Sequence, residues 1–258
     1  MLRALHDRGV RAEPAVWDDA GVDWAGYDLA VLRSTWDYPQ RRDEFVAWAR
    51  RVPRLANPAG MVEWNTDKRY LAELAASGIP VVPTRWVEDG RADLGTTGEV
   101  VIKPTVGAGG LHAGRYDLSD PVQRAHAGVH LDRLGQAMVQ PYLRAVDDRG
   151  ETAMVYFAGR FSHALRKGPL LSGPVAEVDG LFRPEQIDAR EPSPAERAVA
   201  DRVVAALPFA TLPVYARIDL LPGENAPVVI EVELTEPSLF LGYSPGAADR
   251  FASAISAP

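Results

Sequence analysis

The stretch at residues 215–238, YARIDLLPGENAPVVIEVELTEPS, places acidic side chains in a segment that otherwise has the composition of a strand. Two strand-like runs, residues 215–221 and 227–234, flank a Pro-Gly-Glu-Asn turn, and this arrangement predicts a β-hairpin. Because strand side chains alternate between two faces, Arg217 and Asp219 share one face of the first strand. The first strand therefore presents a charged face.

The second strand of the hairpin is predicted to present acid on one face as well, with Glu231 and Glu233 beside Val229. The opposite face is predicted to be apolar and comprises Val228, Ile230, Val232 and Leu234. If Asp219 faces the two glutamates, three carboxylates repel one another unless a cation lies among them. Mg²⁺ takes carboxylate oxygens and keeps positions for phosphate. The pattern favours a magnesium site; the alternative is a half-exposed strand with solvated glutamates.

The composition is that of an ordinary globular protein: of 258 residues, 47% are hydrophobic and 24% charged, enough for one or two compact domains. The sequence has no cysteine, which excludes disulfides, thiolate catalysis and cysteine-ligated zinc, and is compatible with a reducing cytoplasm. A net charge of −7 argues against a nucleic-acid partner. The first residues lack a signal-peptide core and no apolar run is long enough to span a bilayer, so we expect a cytoplasmic protein without a membrane partner.

Lysine is rare in this chain: only Lys68, Lys103 and Lys167 occur among its 28 basic residues. A sequence that uses arginine almost everywhere retains lysine where a compact ammonium is needed, unless the distribution is chance. Lys68 falls in the first turn of a helix predicted over about residues 65–77, with its N-cap at the start. Lys103 ends a predicted strand at residues 99–103.

A glycine-rich loop follows the strand that ends in Lys103. It comprises Pro104, Thr105, Val106, Gly107, Ala108, Gly109 and Gly110. The loop lacks the Gly-Lys-Ser/Thr of a Walker A motif, and it fails as a dinucleotide fingerprint because His112 stands where the last glycine should be. Backbone N–H groups of such a loop can hold phosphates, although flexible surface loops are often glycine-rich as well.

The first part of the chain is predicted to form a small α/β unit. A helix ending at Gly9 precedes strands at residues 10–17 and 27–33, and an amphipathic helix covers residues 43–52. The loop RSTWDY lies at the carboxyl end of the second strand, where ligands bind in open α/β sheets; a packed Asp/Ser turn is an equal alternative. Since the first helix resembles one that normally follows a strand, we expect this sheet to lack its first strand.

Further elements are predicted along the remainder: strands at 79–87 and 137–143, a hairpin from strands at 150–157 and 160–166, and a helix at 193–207. His126 and His130 are four residues apart, but without the glutamate of a zincin motif they are interpreted as helix-surface residues. Residues 170–185, rich in glycine and proline, are predicted to form a mobile loop.

The order of these motifs resembles that of the ATP-grasp superfamily over nearly the whole chain. The segments that carry the resemblance are RSTWDY at 33–38, WNTDKRYL at 64–71, VIKP at 101–104, GETAMVYFAGRFSHALRK at 150–167 and EVELTEPSLFL at 231–241. They are most similar to the branch that contains O-ureido-D-serine cyclo-ligase, and more distantly to glutathione synthetase and D-alanine–D-alanine ligase. The resemblance implies an α/β fold of the α+β ATP-grasp type. A small Rossmann-like pre-ATP-grasp domain at residues 1–62 would precede two ATP-grasp subdomains, at 63–136 and 137–258.

The resemblance also implies which residues bind ATP and Mg²⁺. Lys68 and Lys103 would contact the phosphates beneath the loop of Gly107, Ala108, Gly109 and Gly110. The adenine would meet a hinge made of Gln140, Pro141, Tyr142 and Leu143, and the ribose would be held by Glu151. One or two Mg²⁺ ions would bind Asp219, Glu231 and Glu233. The last of these is a departure, because many relatives carry asparagine there, although a glutamate is still a competent oxygen ligand.

Roles in catalysis and substrate binding are implied for a further set of residues. Arg217 and Lys167 would stabilise the charge on the transferring phosphoryl group. The substrate would lie between the RSTWDY loop, a strand of the central hairpin and the turn at residues 235–238. The residues so implied are Arg33, Ser34, Thr35, Asp37, His163 and Ser238.

The implied activity is that of an ATP-dependent ligase. A substrate carboxylate would be phosphorylated by ATP, and an amine would then displace phosphate to form a C–N bond or close a ring, releasing ADP and phosphate. The expected partner is a small amino-acid-like molecule, and a homodimer is compatible with the sequence. The alternative is a degenerate ATP-binding regulatory module of the same fold. The reason for this alternative is that residues 170–180 lack the acidic-aromatic-arginine stretch that relatives carry.

Overall fold

The computed structural model describes residues 1–169, 171 and 186–256. The strands are β1 (Arg85–Val87), β2 (Glu99–Pro104), β3 (Gly114–Asp117), β4 (Ala137–Pro141), β5 (Glu151–Phe157), β6 (Arg160–Lys167), β7 (Ile187–Arg190), β8 (Tyr215–Pro222) and β9 (Pro227–Glu233). The helices are α1 (Leu2–His6), α2 (Arg42–Arg51), α3 (Ala59–Asn65), α4 (Tyr70–Ala76), α5 (Pro121–Leu134), α6 (Ala145–Arg149), α7 (Pro194–Ala206) and α8 (Ala247–Ile255).

Two antiparallel sheets carry the fold, one with strand order β1-β4-β2-β3 and one with order β7-β6-β5-β8-β9. Helices α4 and α7 pack on one face of the larger sheet, and α8 packs on the other. Helix α5 packs on the smaller sheet. The mixture of helices and antiparallel sheets confirms the predicted α+β class. None of the helices in the described part of the chain is both long and apolar enough to cross a membrane.

The hairpin β8–β9 forms as predicted, but its second strand does not alternate throughout. Arg217 pairs with Glu233 and Asp219 pairs with Glu231, after which a β-bulge shifts the register so that Leu220 pairs with Val229. A bulge adds one residue to a strand and turns the side chains beyond it to the other face. Val229 therefore points into the core beside Val232, and the prediction that Ile230 shares that apolar face is wrong.

The strands predicted for the first part of the chain are largely absent from the structure. Residues 10–17 form no strand, and residues 27–33 contribute a single parallel bridge, between Ala30 and Leu55. Trp17 is the only buried residue of the first segment, so a strand there would have no apolar face to cover. Helix α2 supplies the core instead, through the residues predicted for its apolar side: Phe45, Val46, Trp48 and Ala49.

The helix predicted over residues 65–77 is shortened to α4, and residues 66–69 form a turn that separates α4 from α3. Asn65 ends α3 rather than capping a helix, because its buried amide binds β9 and the residues after it: Nδ2 donates to the Val232 carbonyl at 2.7 Å and Oδ1 accepts from the Leu234 N–H at 2.7 Å. Lys68 lies in the turn between α3 and α4, where its N–H donates to the Thr105 carbonyl at 2.9 Å. The glycine-rich loop is thereby tied to this turn.

Other predicted elements are confirmed or corrected locally. The hairpin β5–β6 and helix α7, capped by Ser193, are confirmed, whereas the strand predicted at 79–87 is reduced to β1 and a bridge between Val81 and Val229. His126 is exposed as predicted, but the surface placement of His130 is wrong, because α5 turns it onto β3, where it is 5% exposed and bonded to the Tyr116 hydroxyl. The loop predicted at residues 170–185 lies outside the described residues, apart from position 171.

Asn57 joins the first part of the chain to the hairpin, and its replacement by alanine is expected to destabilise the protein. The side chain is 0% exposed, and its Nδ2 donates to the carbonyls of Tyr215 and Leu234 at 2.9 and 2.6 Å. Its Oδ1 accepts from the Val214 N–H at 2.8 Å. Asn57→Ala leaves these buried groups without partners, so we expect a loss of about 2–4 kcal/mol in the free energy of unfolding by urea. Asn225→Ala, in the exposed hairpin turn, is the control, and an equal loss in both variants would contradict this interpretation.

Candidate active site

Two adjoining cavities lie between the glycine-rich loop and the hairpin β8–β9. The first encloses about 190 Å³, and the second about 230 Å³. Residues that line both cavities are Lys68, Gly107, Ala108, Gly109, Arg217, Glu231 and Glu233. The first is also lined by Lys103, Gly110, Gln140, Pro141, Tyr142, Leu143, Glu151 and Lys167. All the residues predicted to bind nucleotide therefore meet at one cavity.

The hairpin acids come together as the sequence predicted. Asp219, Glu231 and Glu233 each offer a carboxylate oxygen, and these oxygens lie within 4.8 Å of one another. Asp219 is 0% exposed, whereas both glutamates line the cavities. Three carboxylates on one rigid hairpin, open to a cavity that could admit phosphate, fit the donor set of Mg²⁺.

Three cations, Arg217, Lys68 and Lys167, form ion pairs with these acids. The Arg217 guanidinium donates to both oxygens of Asp219 at 2.8 Å and also bonds Glu233. Lys68 pairs with Glu231 at 2.9 Å and donates to the Gly107 carbonyl at 2.6 Å, which joins the acid cluster to the glycine-rich loop. Although burial acts to raise it, the pKa of Asp219 is held below its usual range by Arg217 and Lys167. Burial raises the pKa of Glu233 to about 7.

Glu151, implied as a ribose ligand, lies at the acid cluster. The Lys167 ammonium donates to it at 2.5 Å and to Asp219 at 3.2 Å. Burial raises the pKa of Glu151 to about 8. Glu151 and Lys167 thus extend the charged network of the hairpin across β5 and β6, and the ribose role stays a prediction.

Lys103 differs from the other two lysines in its partners. Within the described residues no carboxylate forms an ion pair with its ammonium. Burial lowers the pKa of Lys103 to about 8; the nearby ammonium groups of Lys68 and Lys167 contribute to this shift, and the Glu231 and Glu151 carboxylates oppose it. An anion that enters the first cavity could therefore pair with the buried Lys103 ammonium, which is not already paired with a carboxylate.

The hinge contains an unpaired acceptor. Gln140 Nε2 donates to the Thr84 hydroxyl at 2.9 Å, while its buried Oε1 has no hydrogen-bond partner among the described residues. The Arg115 guanidinium lies 3.5 Å from the centre of the Tyr142 ring, and the Tyr142 N–H donates to the Glu99 carbonyl at 2.9 Å. The hinge is thus rigidly attached to β2 and β3, and its contact with adenine stays a prediction.

The substrate residues predicted from the sequence are mostly directed elsewhere. Ser238 lines the second cavity, but Arg33, Ser34, Thr35, Asp37 and His163 line neither cavity. Asp37 accepts from the Trp17 indole at 3.3 Å, and Ser34 is exposed at a turn with φ of 55°. This turn directs Trp36 and Tyr38 of the same loop into the cavity instead.

Arg33 and His163 hold backbone rather than facing the cavity. Four successive carbonyls at residues 236–239, here named the acceptor loop, each accept from a different side chain. Their donors are Trp36 at 3.3 Å, Arg33 at 2.6 Å, Arg217 at 3.2 Å and His163 at 2.9 Å, in chain order of the carbonyls. The acceptor loop is therefore fixed along its whole length.

Six residues that line the second cavity are absent from the predicted site residues: Trp36, Tyr38, Asn65, Val232, Glu236 and Phe240. Trp36, Tyr38 and Glu236 do lie in the two segments predicted to meet the substrate, the RSTWDY loop and the turn at residues 235–238. The signal for Glu236 was its place three residues beyond the last hairpin acid, within the motif TEPS. Trp36 and Tyr38 belong to the RSTWDY loop, but the substrate residues implied within that loop are Arg33, Ser34, Thr35 and Asp37.

Comparisons with known proteins agree over the whole chain. Residues 1–57 match a family model described as the N-terminal domain of the D-cycloserine synthetase DcsG. The cycloserine biosynthesis protein DcsG of Streptomyces lavendulae is 37% identical to this chain over an alignment 283 positions long. The alignment covers 99% of this chain and 91% of that protein. The crystal structure of the D-cycloserine synthetase DcsG superimposes with a TM-score of 0.89 and 37% identity, covering 98% of this chain and 91% of that one.

More distant solved structures share the fold. The D-alanine–D-alanine ligase of Bacillus anthracis, complexed with ATP, has a TM-score of 0.63 at 16% identity, covering 95% of this chain and 83% of that one. The ATP-grasp ligase PsnB, complexed with a phosphomimetic variant of its minimal precursor, Mg and ADP, has a TM-score of 0.64 at 17% identity. The match covers 98% of this chain and 92% of that one. With a relative 37% identical across nearly its entire length, this chain belongs to the DcsG family of ATP-grasp ligases.

Proposed function

We propose that the protein is an ATP-dependent ligase that phosphorylates the carboxylate of a small amino-acid-like substrate and then forms a C–N bond, releasing ADP and phosphate. The observation that carries the proposal is the shared boundary of the two cavities, where Arg217, Glu231 and Glu233 line both. Nucleotide in the first cavity and substrate in the second would meet at these side chains. We also propose the division into units at residues 1–62, 63–136 and 137–258.

The side chains present fit ATP and Mg²⁺. When bound, ATP supplies the γ-phosphoryl group and Mg²⁺ neutralises its oxygens. Asp219, Glu231 and Glu233 would hold the metal, and Lys68 and Lys103 would offset phosphate charge beneath the glycine-rich loop. Arg217 at the boundary of the cavities would stabilise charge on the transferring group, an effect worth about 3 kcal/mol for one well-placed donor.

The names of the relatives suggest the bond that is formed. DcsG proteins are named for D-cycloserine, whose ring contains a C–N bond between a carboxyl carbon and an oxygen-linked nitrogen. In the proposed reaction a carboxylate oxygen attacks the γ-phosphorus and ADP leaves. The nitrogen then attacks the activated carbonyl carbon, phosphate leaves, and the nitrogen loses a proton. We propose that this chain performs such a ring closure.

The products of ATP cleavage test this proposal. We expect ADP and phosphate, and no AMP or pyrophosphate, because the carboxylate is proposed to attack the γ-phosphorus. Chromatography of nucleotides should show ADP only when a substrate from a panel of amino acids and hydroxylamine-type compounds, including O-ureido-D-serine, is present. AMP as the product would refute the mechanism, and ADP formed at one rate with every compound would refute substrate activation.

A further inference from the structure

Glu236 is a buried acid without a cationic partner. It is 7% exposed, and in residues 1–169, 171 and 186–256 no group donates a hydrogen bond to its carboxylate or forms an ion pair with it. The neighbouring acids differ: Glu231 pairs with Lys68, and Asp219 and Glu233 pair with Arg217. The Glu236 side chain lines the second cavity. The Glu236 carboxylate, which has no ion-pair partner, therefore faces the cavity that is assigned to the substrate.

Burial of this carboxylate is unfavourable in the absence of a cation. Removal from water raises the pKa of Glu236 well above its usual range, and the charges of Glu233 and Glu231 also raise it; Lys68 and Arg217, which pair with other acids, offset this only in part. A buried carboxyl group is stabilised in its charged form when an opposite charge lies within hydrogen-bond distance. A ligand that carries a positive group into the second cavity would supply that charge.

The backbone around Glu236 is held by hydrogen bonds from other segments of the chain. Its own carbonyl accepts from the Trp36 indole at 3.3 Å, and the next carbonyl, that of Pro237, accepts from Arg33 at 2.6 Å. On its other side, Asn65 Oδ1 accepts from the N–H and the hydroxyl of Thr235 at 3.2 and 3.1 Å. The carboxylate therefore projects from a fixed backbone rather than from a free loop tip.

The walls of the second cavity suit an organic cation. Trp36, Tyr38 and Phe240 line it, and aromatic faces attract ammonium groups. Its cations, Lys68 and Arg217, also line the first cavity, whereas Glu236 lines the second alone. The second cavity thus has cations at the nucleotide boundary and a carboxylate away from it. An amino acid presents the complementary pair, a carboxylate and an ammonium group.

We propose that Glu236 binds the ammonium group of the amino-acid-like substrate and makes the enzyme selective for substrates with a free amino group. This inference rests on the proposed function. The substrate carboxylate then points toward Arg217 and the nucleotide, which is the orientation that phosphorylation requires. Glu236 is in this role a specificity-determining residue and takes no part in the phosphoryl transfer.

Binding of a matched pair of ring compounds tests the proposal. D-cycloserine carries a primary amino group, and isoxazolidin-3-one is the same ring without it. Titration calorimetry with the full-length protein, ADP and Mg²⁺, at about pH 6.5 so that the amino group is protonated, should show that the wild type binds D-cycloserine at least roughly tenfold more tightly. Glu236→Gln should weaken D-cycloserine binding roughly tenfold to a hundredfold while leaving isoxazolidin-3-one binding unchanged.

The controls separate the possible failures. Glu191→Gln, at an exposed position, should retain the wild-type preference. A Glu236→Gln protein that keeps the preference for D-cycloserine would overturn the inference while the proposed function stands. Equal weakening toward both compounds would also overturn it, since that is the result of a structural role. If the wild type binds ADP but neither ring compound, the proposed function itself fails and the inference falls with it.

Discussion

Glu231→Gln is expected to abolish Mg²⁺-dependent turnover, with a loss of roughly a hundredfold or more in kcat. Glu231 pairs with Asp219 across the hairpin, belongs to the acid cluster with Glu233, and lines both cavities. An amide keeps the shape of the side chain but removes its charge and one acceptor oxygen. It also leaves Lys68 without its 2.9 Å partner. The measurement is the rate of ADP release at saturating ATP over a range of Mg²⁺ concentrations.

A matched variant of the same hairpin controls for effects on the fold. Glu224→Gln removes a carboxylate from the exposed turn and should retain wild-type activity. Both variants should unfold at the wild-type temperature to within a few degrees, because Glu231 is only partly buried. Activity near the wild-type level in Glu231→Gln would contradict the assignment of the metal site.

Lys103→Met is expected to weaken ATP binding by roughly tenfold to a hundredfold, the range of a charge-assisted contact. Lys103 lines the first cavity and has no ion-pair partner in the described residues, so its charge is available to phosphate. Lys103→Arg should not restore the affinity, because a planar guanidinium does not replace a compact ammonium. Titration calorimetry with ATP and Mg²⁺ measures both variants. An arginine variant with wild-type affinity would show that the scarcity of lysine in the sequence is coincidence.

The pH dependence of ATP affinity provides a second measurement of Lys103. Burial lowers the pKa of Lys103 to about 8, so in the free protein its ammonium loses a proton as the pH rises through that value. Phosphate favours the charged form, and ATP binding above that pH must take up a proton. Wild-type affinity should therefore fall between roughly pH 7 and pH 9, and that part of the fall should be missing in Lys103→Met. Identical pH profiles would exclude Lys103 as the titrating group.

Features that depend on local periodicity could be predicted from the sequence. The buried side of α2 and the cap of α7 follow from spacing within one helix. The acid cluster followed from alternation, because Asp219 and Glu231 pair directly before the bulge is reached. The bulge itself could not be predicted, since no local signal distinguishes Ile230 from an ordinary strand residue.

Features that depend on distant partners could not be predicted. Asp37 has the composition of a ligand-binding loop residue, but its direction is set by Trp17 in another segment. His163 resembles a substrate contact until the Leu239 carbonyl, 76 residues further along the chain, is seen to be its partner. The position of Glu236 could not be predicted, because the side chains that fix the backbone here, Trp36 and Asn65, lie far away in the sequence. Side-chain type indicated the chemistry of the site, and tertiary contacts decided which residues perform it.

The second cavity is closed by segments from opposite ends of the chain. The bond between Trp36 and the Glu236 carbonyl joins residues 200 positions apart, and the bond between Asn65 and the Val232 carbonyl joins residues 167 positions apart. Contacts of such long sequence separation form late in folding, because loop closure precedes any gain from them. During synthesis, the hairpin β5–β6 can pair as soon as it leaves the ribosome. The second cavity, in contrast, cannot form until nearly the entire chain has emerged, so we expect a ribosome-bound intermediate to have local structure without this cavity.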